Sequence, residues 1–316
     1  MLNTIQHVYI IGLGAIGALY AAKLHDYRPE SVHILADEAR CHRYRAQGFW
    51  VNDARYDFDY VTPQEALTGP KADVILVCVK ASQLLAAAQL CRGVLAQHTR
   101  ILSLLNGISS EVILGEALGA EHLLLAYGVQ MDALREGHAV HYSQPGFLVF
   151  GESNNHHISP DVARIQSWLS AAQIPHQTPT DMRRAQWHKF MLNVAVNQVS
   201  AVLRLSYGQI KHNLPAQRLM HDAAQEVLAI SKHLNIGLTE ADVDTILQPV
   251  MVLSDNGYTS MAQDVLAKRP TEIAIFGETV CHLGQQYGVP TPINAVLTTQ
   301  IHALEQSFQA ARSLPE

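Results

Sequence analysis

Through the first half of the chain, short apolar runs alternate with stretches whose apolar residues recur every three or four positions. The runs lie at 8–11, 32–36, 73–79, 101–105 and 123–131 and are rich in Val, Ile, Leu and Tyr. Continuous apolar runs of this kind predict strands covered on both faces, as in a parallel sheet. Helical spacing between them, at 82–95 and 109–118, completes an alternation that predicts an α/β fold on a doubly wound parallel sheet. Two later runs, 138–142 and 147–151, are joined through Ser143-Gln144-Pro145-Gly146 and predict an antiparallel extension. An amphipathic helix is expected at 161–172, after Ser159-Pro160, and 174–181 then interrupts regular structure.

From Asp181 onward the strand-like runs nearly vanish. Helical periodicity takes over at 182–203, 215–234, 240–253, 260–266 and 271–287, with breakers at Asn235-Ile236-Gly237, Asn256-Gly257 and Arg269-Pro270. The expected organisation is two domains, 1–180 built on the sheet and 181–316 all-helical. A length of 316 residues suits two cores, because single cores stop growing near about 250–300 residues. A small-molecule cleft is expected where the two halves meet.

Composition narrows the class. Hydrophobic residues at 48% and charged residues at 16% describe a globular chain, not a disordered one. The net charge of −6 includes no block of like charges, which argues against nucleic acid or an anionic membrane as partner. Cys41, Cys78, Cys91 and Cys281 form no C-x-x-C pair, so a reducing cytoplasm is expected, not a disulfide framework. The 17 histidines are scattered without an H-E-x-x-H motif, and no metal site is expected.

The first apolar run leads directly into Gly12, Gly14 and Gly17. The uncharged stretch 8–22 is shorter than the ~20 residues that span a bilayer, and no Lys or Arg precedes Lys23 as a secretory leader requires. G-x-G-x-x-G between a strand and a helix has a better reading. Gly12 permits the tight turn, Gly14 lets backbone approach a pyrophosphate, and Gly17 admits close helix–strand packing. The anion then sits on the first N–H groups of the helix, at Ala15 and Ile16. Asp37 ends the second run, where an acidic side chain meets the adenosine ribose in NAD-binding folds. These residues predict a dinucleotide cradle.

In the second half, Lys189, Asn193 and Asn197 stand at i, i+4 and i+8 among Phe190, Met191, Val194, Val196 and Val199. Each step of four turns a helix by only about 40°, so the three share one side. Such a stripe is either a solvated face with a snorkelling Lys or a cleft that aims an ammonium and two carboxamides at a substrate. Ser260 with Gln263 matches a capping box, and Glu272 after Pro270-Thr271 suits a helix N-terminus; both are also candidates for chemistry. Lys80 and Asn106 stand at strand ends, where doubly wound sheets bind ligands.

Taken in order, these motifs resemble the ketopantoate reductase (2-dehydropantoate 2-reductase) family from end to end. The matching elements are the glycine cradle, V-K-A-x-Q at 79–83, Asn106-Gly107, W-x-K-x-x-x-N-x-x-x-N at 187–197, S-M-x-x-D at 260–264 and R-x-T-E-I at 269–273. The resemblance implies a Rossmann domain followed by an all-helical one, and NADPH-dependent reduction of 2-dehydropantoate to (R)-pantoate, a step toward pantothenate. It further implies Lys189 as general acid, Glu272 as its carboxylate partner, and Asn193, Asn197 and Ser260 as holders of the substrate's hydroxyl and carboxylate. Lys80 and Asn106 would lie between cofactor and substrate.

The chain departs from that pattern twice. Asp37 stands where the family usually carries an Arg for the 2′-phosphate of NADP, so NADH is the expected preference here. After Thr271-Glu272-Ile273 the family commonly continues with Asp and Asn-Gly, whereas this chain reads Ala274, Ile275, Phe276, Gly277 and Glu278. Two other readings stay open: a reductase for another small branched 2-keto acid, and a dinucleotide-binding sensor without turnover. The set Lys189, Glu272 and Ser260 speaks against a sensor, which needs no proton donor. The apolar helices of the second half are compatible with a homodimer.

Overall fold

The computed structural model describes residues 4–313, which divide into two compact units between Arg183 and Arg184. The first contains strands β1 (Val8–Ile11), β2 (Val32–Leu35), β3 (Phe49–Val51), β4 (Ala54–Tyr56), β5 (Asp59–Val61), β6 (Val74–Val77), β7 (Arg100–Ser103), β8 (Leu123–Met131), β9 (Leu134–Glu136), β10 (Ala139–His141), β11 (Pro145–Gly151) and β12 (His176–Gln177). Its helices are α1 (Ala15–Tyr27), α2 (Glu38–Gln47), α3 (Pro63–Thr68), α4 (Leu84–Val94), α5 (Ser110–Leu118) and α6 (Pro160–Ala171). The main sheet runs β12-β11-β8-β7-β6-β1-β2-β5, parallel from β5 through β8, with β11 antiparallel to β8. Strand order reverses between β1 and β6, which pair in register from Val8↔Val74 to Ile11↔Val77. That reversal is the switch point at which doubly wound sheets hold their ligands.

Alternation along each strand decides which helix layer it meets. Val8 and Ile10 of β1, with Val74 and Leu76 of β6, join α1 in one core. Tyr9 and Ile11, with Ile75 and Val77, join α4 in the other. Both faces are therefore apolar and both are covered, which accounts for the uninterrupted hydrophobic runs in the sequence.

Several expectations need correction. Strands 138–142 and 147–151 do not pair with each other: β11 extends the main sheet, whereas β10 joins a second sheet ordered β4-β3-β10-β9. The β3–β4 hairpin turns at Asn52 and Asp53, both at positive φ, a tight turn that the hydrophobic pattern alone does not reveal. β12 lies inside the segment read as irregular, pairing with β11 at Leu148↔His176.

The second unit is all helix: α7 (Met182–Leu203, which begins just before the divide), α8 (Tyr207–Lys211), α9 (Leu214–His233), α10 (Glu240–Asp244), α11 (Gln248–Met251), α12 (Ser260–Leu266), α13 (Gly277–Tyr287) and α14 (Pro292–Ser313). The single helix expected at 240–253 is two short ones, since Pro249 cannot continue an earlier helix and opens its own at α11. α14 was not expected, although Asn294, Leu297 and Ile301 mark its buried stripe. No helix among the described residues is long and apolar enough to cross a membrane.

Near the start of α7, Arg184 grips Asp242 of α10 with Nη2 at 2.7 and 2.8 Å from the two carboxylate oxygens. Asp242 also accepts from the Thr239 backbone N–H at 2.7 Å, closing the α10 capping box. Burial alone would raise the Asp242 carboxyl, but the bonds from Thr239 and Arg184 outweigh it and hold the group below its ordinary 3.8. A depressed carboxyl contributes stability that is complete above its unfolded value and disappears as pH falls through the folded one. Asp242→Ala is therefore expected to lower unfolding free energy by about 1–3 kcal/mol at pH 7. Denaturant titrations at neutral pH and near pH 3 should show that gap shrinking in acid.

Candidate functional site

In the first unit the chain passes from β1 to α1 through Gly12, Leu13 and Gly14. Gly12 adopts φ +99°, and a side chain there would meet the Cys78 carbonyl oxygen at 2.6 Å. A Cβ on Gly17 would be driven into the carbonyl of Gly12. Gly14 is different. Its φ of −79° suits any residue, and an added Cβ would find only the Cys78 oxygen, at an ordinary 3.8 Å. Nothing inside the protein requires glycine at this position, so the space it leaves suits an outside group. Gly14 is also the N-cap of α1, with no side-chain cap and no acidic residue in the first turn. The N–H groups of Ala15, Ile16 and Gly17 thus start a helix with no acidic side chain in its first turn, a setting that fits a dinucleotide's pyrophosphate.

The other cofactor candidates in this unit sit just beyond the ends of neighbouring parallel strands. Lys80 follows β6 and is exposed; Asn106 follows β7, half-buried, before Gly107 at φ +89°. Asp37 follows β2 and carries a role that sequence reasoning missed. Its carboxylate accepts from the Arg40 backbone N–H at 2.8 Å as the N-cap of α2, and its other oxygen lies 3.4 Å from Arg40 Nη1. The cap holds the carboxylate at the strand end, with the Arg40 guanidinium beside it.

In the second unit α7 is buried along most of its length, with Phe190, Met191, Val194, Val196 and Val199 at 3% exposure or less. Its polar stripe is organised. Asn197 Nδ2 donates to Asn193 Oδ1 at 3.3 Å, and Asn197 Oδ1 accepts from Ser260 Oγ at 3.4 Å and from the Met261 N–H at 3.5 Å. These bonds are longer than the usual 2.9–3.0 Å, so all three side chains retain capacity for a ligand. Lys189 lies on the same face two turns earlier, half-buried. Its neighbour His188 is pushed below the ordinary imidazole value by burial, against the pull of Asp242.

The capping explanation for Ser260 fails, because α12 is capped by Thr259. Thr259 Oγ1 accepts from Ala262 N at 3.2 Å and lies 2.7 Å from Ser200 Oγ on α7, pinning the start of α12 against that helix. Ser260 is left exposed with its hydroxyl toward Asn197. Glu272 does not open a long helix either. It precedes a 3₁₀ turn at Ile273–Ile275, is half-buried, and makes no side-chain cap. Its loop is held on both sides: Arg269 Nε donates to Asp264 Oδ1 at 2.8 Å, and Glu305 of α14 accepts from Thr271 N at 2.6 Å and Oγ1 at 2.7 Å. Glu305 was illegible because its helix was. Of the unusual residues that follow, Gly277 has a packing cause: a Cβ would collide with Thr298 Oγ1 and Gln198 Oε1. Glu278 pairs with His302 at 2.9 Å, and Ala274 is exposed.

Comparison with known proteins bears on both units. The family described as Ketopantoate reductase PanE/ApbA matches residues 8–155, and its C-terminal counterpart matches residues 181–305. A 2-dehydropantoate 2-reductase of Vibrio cholerae is 27% identical over 321 residues, covering 97% of this chain and all of that protein. One from Streptococcus pyogenes is 23% identical, covering 94% of this chain and 97% of its own. Among solved structures, a ketopantoate reductase from Ralstonia eutropha superposes with TM-score 0.79 at 24% identity, over 96% of this chain and 99% of that one. D-mandelate dehydrogenase with NADH and anilino(oxo)acetate superposes with TM-score 0.84 at 21% identity, with the same coverage. At these identities the structural likeness speaks for the fold.

The two glycines separate folding from binding. Gly17→Ala is expected to cost about 3 kcal/mol or more through overpacking, lowering the melting temperature sharply. Gly14→Ala should fold with a melting point near the native one and bind NADH about tenfold more weakly or worse. Calorimetric titration beside thermal melts distinguishes them; native affinity in Gly14→Ala would remove that residue from the cradle.

Proposed function

Because the chain belongs to the ketopantoate reductase family of NAD(P)H-dependent oxidoreductases, we propose that it reduces 2-dehydropantoate to (R)-pantoate. The observation that carries this reading is the Asn193–Asn197–Ser260 chain of hydrogen bonds on the same face of α7 as Lys189. A bound reduced dinucleotide supplies the hydride. The residues of this chain handle what the hydride leaves behind. As the keto carbon gains hydride, its oxygen takes the former π pair as developing alkoxide, and the Lys189 ammonium stabilises and protonates it. Glu272 serves as the carboxylate partner of that lysine. Asn193, Asn197 and Ser260 orient the substrate's hydroxyl and carboxylate, exchanging their long mutual bonds for shorter ones to the ligand. Gly12, Gly14, Ala15, Ile16, Gly17, Asp37, Lys80 and Asn106 hold the dinucleotide, Asn106 serving the substrate as well. The enzyme works as a cytoplasmic protein, with a homodimer as the proposed assembly.

A second reading has a specific observation behind it: the likeness to D-mandelate dehydrogenase with NADH and anilino(oxo)acetate. Under it the same groups reduce a different 2-keto acid. Turnover of a panel of 2-keto acids, followed by nicotinamide absorbance, separates the two. Highest kcat/KM on 2-dehydropantoate supports the first, and a clear preference for an aryl keto acid overturns it.

Lys189→Ala should lower kcat by about 10²–10⁴-fold while leaving NADH affinity and melting temperature close to native. Ser260→Ala should instead raise KM for the keto acid with stability unchanged, since Thr259 carries the cap. Near-native turnover in the lysine variant would end its candidacy as the acid.

For the cofactor we propose NADH over NADPH. Asp37 accepts from the ribose hydroxyls of NAD and opposes a 2′-phosphate, a repulsion of about 1 kcal/mol in water and several times that in a partly buried site. The expected discrimination is about tenfold or more in kcat/KM. Asp37→Arg should reverse it; a native preference for NADPH contradicts the proposal.

A further inference from the structure

The glycine loop is tied down from outside the main sheet. Arg135, on β9 of the small sheet, donates from Nη1 to the carbonyl oxygen of Leu13 at 2.6 Å, across 122 residues of sequence. Leu13 is the residue between Gly12 and Gly14. The guanidinium is itself held in place: Nε donates to Gly137 O at 2.8 Å, and Cζ lies 5.5 Å from the ring centroid of Phe49, a fully buried residue of β3. β9 pairs with β10 at Val140↔Arg135, and β10 lies against α1. The fold fixes this cation within the first unit before any ligand arrives.

Peptide planarity gives the contact its consequence. In a trans peptide the carbonyl and the following N–H point in opposite directions. A Leu13 carbonyl drawn to Arg135 therefore turns the Gly14 N–H to the other side of the loop. A flip of this peptide changes ψ of Leu13 and φ of Gly14, and Gly14 has no Cβ to resist the change on its side. Flipped, it would present a carbonyl oxygen in place of an N–H beside the helix terminus, and an oxygen repels phosphate.

We infer that Arg135 is a positioning residue for the dinucleotide: it locks the Leu13–Gly14 peptide so that the Gly14 N–H joins those of α1 in facing the diphosphate. The bond is charge-assisted and short, the strong class of hydrogen bond, so it holds the loop in one state. The role concerns the dinucleotide alone and stands whichever 2-keto acid is the substrate.

The test compares Arg135→Met, which keeps an apolar stem against Phe49 but no donor, with Arg135→Lys, which keeps a charged donor. Binding of NADH, ADP-ribose and adenosine is measured for each by calorimetry or competition. Arg135→Met should weaken NADH and ADP-ribose about tenfold, while adenosine, which lacks the diphosphate, changes by no more than about twofold. Arg135→Lys should recover most of the loss. A general loosening of the domain would instead weaken all three ligands alike, and that result overturns the inference, as does native NADH affinity in Arg135→Met. Should the methionine variant melt early, the ratio of ADP-ribose to adenosine affinity in Arg135→Lys and Arg135→Gln decides: an unchanged ratio in Gln counts against the lock, and a fall in Gln that Lys restores supports it.

Discussion

The Cys78 carbonyl at the end of β6 lies so close to Gly12 that no side chain fits between them, and Gly17 sits equally tight on Gly12. This crowding joins three elements, because it brings the end of β1, the end of β6 and the start of α1 to one place at the switch point of the sheet. The rest of the cradle follows from it. Close packing of α1 on β1 sets the helix N-terminus beside the strand ends, and the parallel register carries Asp37, Lys80 and Asn106 to the same edge. The two cores cover the sheet on both sides, so the backbone groups at the start of α1 are held in place by packing alone.

In the second unit the corresponding constraint is a polar stripe on a buried helix. Carboxamides inside an apolar bundle lower stability unless satisfied. Here they are satisfied by each other and by Ser260, at 3.3 and 3.4 Å. The surrounding bonds serve the same end: Arg184–Asp242 anchors α7, Thr259–Ser200 pins α12 on it, and Asp264–Arg269 with Thr271–Glu305 steadies the loop of Glu272. The motif residues thus divide into those to which the proposed function gives a chemical role and those that hold them in place. Asp264 and Arg269 belong to the second kind.

The long, strongly periodic elements were legible from residues alone. β1, β8, α7 and α12 begin and end where the apolar pattern says, and the class of a doubly wound sheet followed by helices follows from that pattern. Short elements were not. β3, β4, β5, β9 and β12 are two or three residues each, too brief for a period to register, and they exist because neighbouring strands offer open hydrogen-bonding edges. α14 hid for another reason: among its described residues the buried ones are Asn294, Leu297, Ile301 and Phe308. A polar Asn opens that stripe while an apolar Val296 lies exposed, so the stripe is read only once α9 and α13 are seen beside it.

By itself, then, the sequence determined what depends on spacing along the chain: the glycine turn, the shared face of Lys189, Asn193 and Asn197, and the family to which the order of motifs points. Tertiary structure decided what depends on which groups meet through space. It pinned Thr259, the cap of α12, to Ser200, left Ser260 exposed beside Asn197, and left Gly277 no room for a side chain beside Thr298 and Gln198. It also brought Arg135 of the small sheet to Leu13 of the glycine loop, 122 residues away in sequence. The reason is physical: a turn or a helix face is set by local dihedrals and a fixed period, whereas partners for buried polar groups are chosen only when the chain has packed.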